Sequence, residues 1–179
     1  MKTTIKQFSF ALVLALTTIL TSCSSSSSDG GGSGPATGTF VKAKVAGSDF
    51  LGEGAYATGA YNSGNLAVQG TTTTGKSIDI QLYATDGALT VGTYNVNSTN
   101  TDDSHVGSLS LTEVNLSTFI STTYNSQVCD NASGTISITF IDATKIEGTF
   151  SFTGKELKDG DDCSGGTKNI TNGSFRLEL

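Results

Sequence analysis

The sequence predicts an all-β domain, a single antiparallel β-sandwich or flattened barrel of about nine or ten short strands. Three observations predict it. In Gly134-Thr-Ile-Ser-Ile-Thr-Phe-Ile-Asp142, residues Ile136, Ile138 and Phe140 alternate with Thr135, Ser137 and Thr139. In Lys145-Ile-Glu-Gly-Thr-Phe-Ser-Phe-Thr153, residues Ile146, Phe150 and Phe152 oppose Glu147, Thr149 and Ser151. Successive strand side chains point to opposite faces, so a period of two marks a half-buried strand. Second, such runs recur at near-regular spacing with polar turns between them. Third, the chain has 22 glycines and one proline, is rich in Thr, and has no long segment with helical spacing. Thr suits a pleated surface and Gly supplies turns and bulges. The pattern fits a sandwich and a barrel equally.

Taken in order, Thr39 to Val45 is the first strand, with Val41, Ala43 and Val45 as its apolar set. Asp49-Phe50-Leu51 follows a glycine turn. Ala55 to Tyr61 and Leu66 to Thr72 flank Asn62-Ser-Gly-Asn65, a hairpin signal. Ile78, Ile80 and Leu82 face inward, with Asp79 and Gln81 outward; Asp86-Gly87 then turns the chain. Val91 to Val96 is a short strand and Asn97 to Ser104 a polar loop. Val106 to Val114 alternates through Leu109 and Leu111, and Leu116 to Tyr124 is a weaker strand. The last strand lies near Ile170 to Leu179, with Phe175, Leu177 and Leu179 inward. Ile170 and Phe175 differ in parity, so Asn172-Gly173 is a bulge or a tight turn.

The hairpin at 134–153 has both apolar sets on even numbers. A simple register then needs an odd loop, Asp142-Ala143-Thr144, which pairs Ile141 with Lys145 and Gly134 with Phe152. Cys129 and Cys163 both lie beyond the open end of that ladder, and a loop through Lys158 to Asp162 would return Cys163 towards Cys129. They are a disulfide or two free thiols.

The start of the chain bears on that choice. Residues 1–22 have the parts of a secretory signal: Lys2 and Lys6, the apolar run Phe8 to Leu20, then small residues. The run is too short and wrongly flanked for a spanning helix. Leu20-Thr-Ser-Cys23 resembles the lipobox of bacterial lipoproteins, in which the Cys becomes the lipidated first residue. That resemblance implies a membrane attachment through lipid at Cys23. Cys129 and Cys163 are then an even pair in an oxidising compartment, which favours the disulfide. Residues 23–38 are a Ser/Gly-rich tether that buries nothing, and 39–179 form one domain. The net charge is −6, and removal of Lys2 and Lys6 makes it more acidic. Such a surface argues against nucleic acid, which needs clustered Lys and Arg.

The C-terminal third contains Gly134-Thr-Ile-Ser-Ile-Thr, Ile146-Glu-Gly-Thr-Phe-Ser-Phe-Thr153 and Ile170-Thr-Asn-Gly-Ser-Phe175, with Gly92-Thr-Tyr94 in mid-domain. In these motifs it resembles a family of small Bacteroidota lipoproteins built on a domain of unknown function. The resemblance implies a β-rich fold and a cell outer membrane location, on the periplasmic or the surface face. It implies no catalytic residue. The family's tryptophan after the first strand is absent here, and Phe50 takes that place.

Other constellations are weaker. Gly52-Glu-Gly-Ala-Tyr-Ala57 spells G-x-G-x-x-A, but no helix signal follows to hold a pyrophosphate, and it reads as a glycine-rich turn. His105 is the single histidine; with no G-x-S-x-G elbow it reads as a solvated loop residue. Asp159, Asp161 and Asp162 offer oxygens to Ca²⁺ without the EF-hand order, and the alternative is a plain acidic loop with no cofactor. Tyr56 and Tyr61 near the hairpin turn could form a stacking platform, against partly buried core tyrosines. Two functions stand. One is a non-catalytic, lipid-anchored domain that binds an envelope glycan or a protein partner. The other is a glycan-active hydrolase, which needs two convergent carboxylates. The scattered acids favour the first.

Overall fold

The computed structural model describes residues 35, 37–160 and 163–179. The signal segment, Cys23, the tether up to residue 34, and Asp161 and Asp162 lie outside these residues. The fold is all-β, and its described residues contain no α-helix. Eleven antiparallel strands form it: β1 (Phe40–Val45), β2 (Ser48–Glu53), β3 (Ala57–Asn62), β4 (Asn65–Thr71), β5 (Lys76–Ala84), β6 (Gly92–Asn95), β7 (His105–Val114), β8 (Ser121–Asn125), β9 (Ser133–Ile141), β10 (Lys145–Glu156) and β11 (Thr167–Glu178). A 3₁₀ turn over Gly54–Tyr56 joins β2 to β3.

The strands form one sheet in the order β2-β1-β11-β10-β8-β7-β5-β4-β3, which curls into a nearly closed barrel. Strand β10 is long enough to serve two neighbours on one edge. Residues 146–153 pair with β9, which continues into β6, and Lys155 and Glu156 pair with β8. Closure brings β1 and β2 over β4: a Cβ on Gly70 would lie 2.6 Å from Val41 Cβ, so a side chain there would hold the two walls apart. The inward residues of all the long strands fill the interior. Val41, Leu66, Ile78, Ile80, Leu109, Leu111, Ile136 and Ile146 are fully enclosed, and Phe50, Phe150, Phe152 and Phe175 pack among them. Burial of apolar area of this kind is the main driving force for folding.

Several expectations need correction. The central hairpin pairs Gly134 with Phe152 as expected, but near the turn Ile141 pairs with Ile146 rather than Lys145. The register shifts between Glu147 and Gly148, and Thr139 is the extra residue. A bulge puts two residues opposite one and reverses the facing beyond it. Phe140 therefore points outward, 39% exposed beneath the Lys145 ammonium, and Ile141 packs against the core. Leu179 is likewise exposed rather than inward. At Asn172-Gly173 the structure has a bulge, with Asn172 at φ 52°, inside a continuous β11 that begins at Thr167. Residues 116–120 form a turn, and β8 starts only at Ser121.

Candidate functional site

The disulfide joins Cys129 and Cys163, with Cα atoms 6.1 Å apart. It ties the segment between β8 and β9 to the connection between β10 and β11. Cys129 is buried and Cys163 lies at the surface.

His105 is not a solvated loop residue: it opens β7 and is only 4% exposed. It shares the inward parity of Gly107, Leu109 and Leu111, the signal in the sequence that would have placed it inside. The loop before it is held near the ring: Thr85 Oγ1 donates to the Asp103 carbonyl at 2.8 Å, and Asn100 Nδ2 lies 3.4 Å from His105 Nε2. Its Nε2 lies 3.0 Å from the Asn95 carbonyl, and its ring meets Tyr94 edge-on at 5.1 Å. A carbonyl only accepts, so Nε2 is the donor in that bond. Ser104 Oγ lies 3.2 Å from Nδ1, and Asp102 Oδ2 lies 3.4 Å from the same atom. A Ser-His-Asp triad uses opposite ring nitrogens for the two partners. Here both crowd one nitrogen and the backbone occupies the other, which is the geometry of a structural histidine.

Tyr56 and Tyr61 are not brought together. Tyr56 is 51% exposed in the 3₁₀ turn before β3, whereas Tyr61 near the far end of β3 packs against the core. About 15 Å of extended chain separates them. Leu89 N–H donates to the Tyr61 hydroxyl at 3.3 Å, so that ring is held inside. Gly52 to Ala57 runs from a strand through the 3₁₀ turn into a strand, with no helix N-terminus for a phosphate. Asp159 is exposed, and among the described residues no three His, Cys, Asp or Glu side chains gather as a metal would need.

The perturbed carboxylates sit in ion-pair networks. Burial pushes the Glu113 carboxyl up, but hydrogen bonds from Lys168 at 2.7 Å and Lys76 at 3.1 Å outweigh it and hold the group below its ordinary value. Glu147 behaves alike between Arg176 at 2.6 Å and Lys145 at 3.1 Å. Asp142 is lowered by hydrogen bonds from the Thr144 side chain and backbone, and Asp102 by those of Ser104.

The outer faces carry the concave surfaces. A groove of about 480 Å³ crosses β6, β9, β10 and β11, lined by Asn95, Asn97, Thr135, Ser151, Thr153 and Asn169. Several of its hydroxyls and amides bond one another, as Thr153 does Asn169 at 3.0 Å. On the opposite flank, a trough of about 360 Å³ crosses β3, β4 and β5, and a hollow of about 200 Å³ continues it onto β7. The turn after β7 presents Leu116, Phe119 and Ile120 to solvent, Phe119 at 80% exposure. The trough and the hollow, which Tyr83 lines, are not legible in the sequence, because they depend on which strands become neighbours.

A family model for a domain of unknown function, DUF6252, matches residues 38–176. The chain belongs to this family. The DUF6252 domain thus takes in all of β1 to β10 and most of β11, including the disulfide, His105 and both flanks. No curated protein and no solved structure matches the chain.

Proposed function

We propose that this DUF6252 protein is a lipid-anchored cell-envelope lipoprotein whose β-domain binds a ligand without chemical turnover. The observation that carries this reading is the Cys129–Cys163 disulfide. It pairs two of the three cysteines and leaves Cys23, directly after the signal-like segment and within Leu20-Thr-Ser-Cys, as the odd one for lipid. The path of the chain is compatible: Pro35 lies beside the C-terminal end of β11, its carbonyl accepting from Arg176 at 3.2 Å, so the tether leaves the domain at one end of a long strand. In this reading the domain sits at the outer membrane, the location that the resemblance to Bacteroidota lipoproteins implies, on its periplasmic or its surface face, and the attachment needs no cofactor or nucleic acid.

The non-catalytic part of the reading rests on the state of the acids. A glycan hydrolase needs a carboxylic acid held protonated, hence raised, close to a second carboxylate. Asp49, Asp102, Glu113, Asp142 and Glu147 are all shifted the other way, by partners that favour the ionised form. In the Ser104–His105–Asp102 arrangement the serine and the carboxylate face the same ring nitrogen and the Asn95 carbonyl holds the other, which is not the disposition of a triad.

Fractionation of cells expressing wild type and Cys23→Ala tests the anchor. The wild type should carry an acyl mass and sediment with membranes, and the variant should not. Equal membrane association of both, with no acyl mass, refutes the anchor. Hydrolysis of any envelope glycan by the purified protein, abolished by one carboxylate substitution that preserves the fold, refutes the binding role.

A further inference from the structure

We infer that the outer face of β4, β5 and β7 is a binding site for a neutral oligosaccharide chain, with Tyr83 as its stacking ring and Gln81 and Asp79 as its hydroxyl-reading groups. The inference rests on the binding role proposed above and assigns its site and ligand class.

The face is built by parity. Inward Ile78, Ile80 and Leu82 leave Asp79, Gln81 and Tyr83 in one outward row along β5, spanning about 13 Å. Asp79 pairs across to Gln69, Gln81 to Ala67 and Ser108, and Tyr83 to Asn65 and Val106. The trough and the hollow meet at Gln81, which lines both, so the two form one channel along the row. Its floor is kept low by the small outward side chains of Ala60 and Ala67, which pair across β3 and β4.

The polar groups are held in place yet retain bonding capacity. Gln69 donates to Asp79 Oδ1 at 2.5 Å and Ser77 to Oδ2 at 3.2 Å, which fixes the carboxylate plane. A carboxylate has about four lone-pair sites, so acceptor positions remain. Gln127 closes the far side by donating to the Gly107 carbonyl. Among the described residues the Gln81 amide and the Tyr83 hydroxyl have no hydrogen-bond partner, and Tyr83 is 44% exposed. Planar amide and carboxylate groups match pairs of adjacent hydroxyls, with donors and acceptors side by side. The tyrosine face offers an apolar surface to the C–H side of a sugar ring, with a polar tip left for a hydroxyl. The channel holds one carboxylate and no cation, and the whole chain is acidic at −6, so uronate or sulfated chains are repelled. Apart from Val106 it lacks the large apolar surface that a protein core contact needs.

The test is an NMR titration of the purified full chain with neutral hexasaccharides of β-1,4-glucan, β-1,3-glucan, xylan and α-mannan, and with a polygalacturonate hexamer. At least one neutral chain should shift the amides of residues 65–69, 79–83 and 106–108, and the uronate should not. Tyr83→Ala should weaken binding about tenfold and Tyr83→Phe by no more than a few-fold, because the ring stacks. Gln81→Ala should weaken binding while leaving the thermal midpoint unchanged, which separates recognition from folding. No binding by any of the four neutral chains, or binding indifferent to both Tyr83→Ala and Gln81→Ala, overturns the site. If shifts instead map to the Asn95–Asn169 groove, the site fails and the binding role stands; if the added chain is cleaved, the binding role itself fails.

Discussion

The β3–β4 and β9–β10 hairpins obey different masters. In β3–β4 one register runs without a break from Ala57–Gly70 to Asn62–Asn65. Its two-residue turn, Ser63-Gly64, has φ of 49° and 80°, the type I′ geometry whose twist matches the strands. Yet no residue of β3 is buried. In β9–β10 the core faces are enclosed and the register breaks at a bulge. A turn can dictate a short ladder by itself. A long ladder pressed against a core also has to fit what lies across the barrel, and here the bulge makes that fit. Gly148 shows the constraint: a Cβ there would sit 2.6 Å from both the Phe175 ring and the Ser137 carbonyl.

The sharpest way to break the comparison is charge at the bulge. Ile138 is 1% exposed, and Ile138→Asp should unfold the domain, a loss of more than about 4 kcal/mol, because an unpaired charge enters the core. Thr139→Asp, one residue on and exposed, should cost under about 1 kcal/mol. Urea titrations of the two variants decide it, and equal losses would mean that both faces of β9 are buried.

Next in size is the staple that only β9–β10 possesses. Replacing Cys129 and Cys163 with Ala opens a link across a sequence separation of 34 residues. On the chain-entropy model it should cost about 3–4 kcal/mol. Thermal melts with and without reductant measure it, and a wild type insensitive to reductant after full thiol alkylation would count against the bond's role. Hydrogen exchange should rise first at 129–156 and leave β3–β4 unchanged.

Glycine substitutions come third. Gly148→Ala should cost about 2 kcal/mol through overpacking against Phe175, more than the roughly 1 kcal/mol for Gly47→Ala in the turn after β1, where a Cβ meets open space and only the φ of 86° disfavours a side chain. The reverse order in chemical denaturation would mean that the turn, and not the core, limits stability. The facing reversal has its own check. Ile141→Ser should destabilise more than Phe140→Ser, although simple alternation would bury Phe140 and expose Ile141.

The smallest effect is acid. The Glu147 carboxyl is lowered, since Arg176 and Lys145 outweigh the effect of burial. Its contribution is therefore full above the unfolded value of about 4.3 and fades as pH falls through the lower folded value. For a surface pair this is under about 1 kcal/mol. Glu147→Gln should lower stability at pH 7 and flatten the loss below pH ~4.5. The β3–β4 hairpin contains no Asp or Glu, so its exchange protection relative to the whole domain should not follow this titration.

Much of this was legible because short-range rules govern it. Alternation at Ile78–Leu82, Leu109–Leu111 and Ile136–Ile138, the Asn62–Asn65 turn and the cysteine count are local or arithmetical facts. They specified an all-β chain, most of its inward residues and the bridging pair. Alternation fails where one extra residue enters, as it does before Phe140; Leu179 keeps the inward parity of Phe175 and Leu177 but lies past the end of β11, with no neighbour among the described residues to cover it. Alternation was overlooked at His105, where a polar residue with inward parity was assigned to the loop beside it. The site was the least legible part. Tyr83, Gln81, Asp79 and Gln69 are ordinary outward residues in sequence, scattered over β4 and β5. They become a channel only when β4, β5 and β7 lie side by side and the small Ala60 and Ala67 leave room beside them. Sequence determines which way a side chain points along its own strand. Which outward rows become neighbours is decided by strand order and closure, because those follow from packing the whole interior at once.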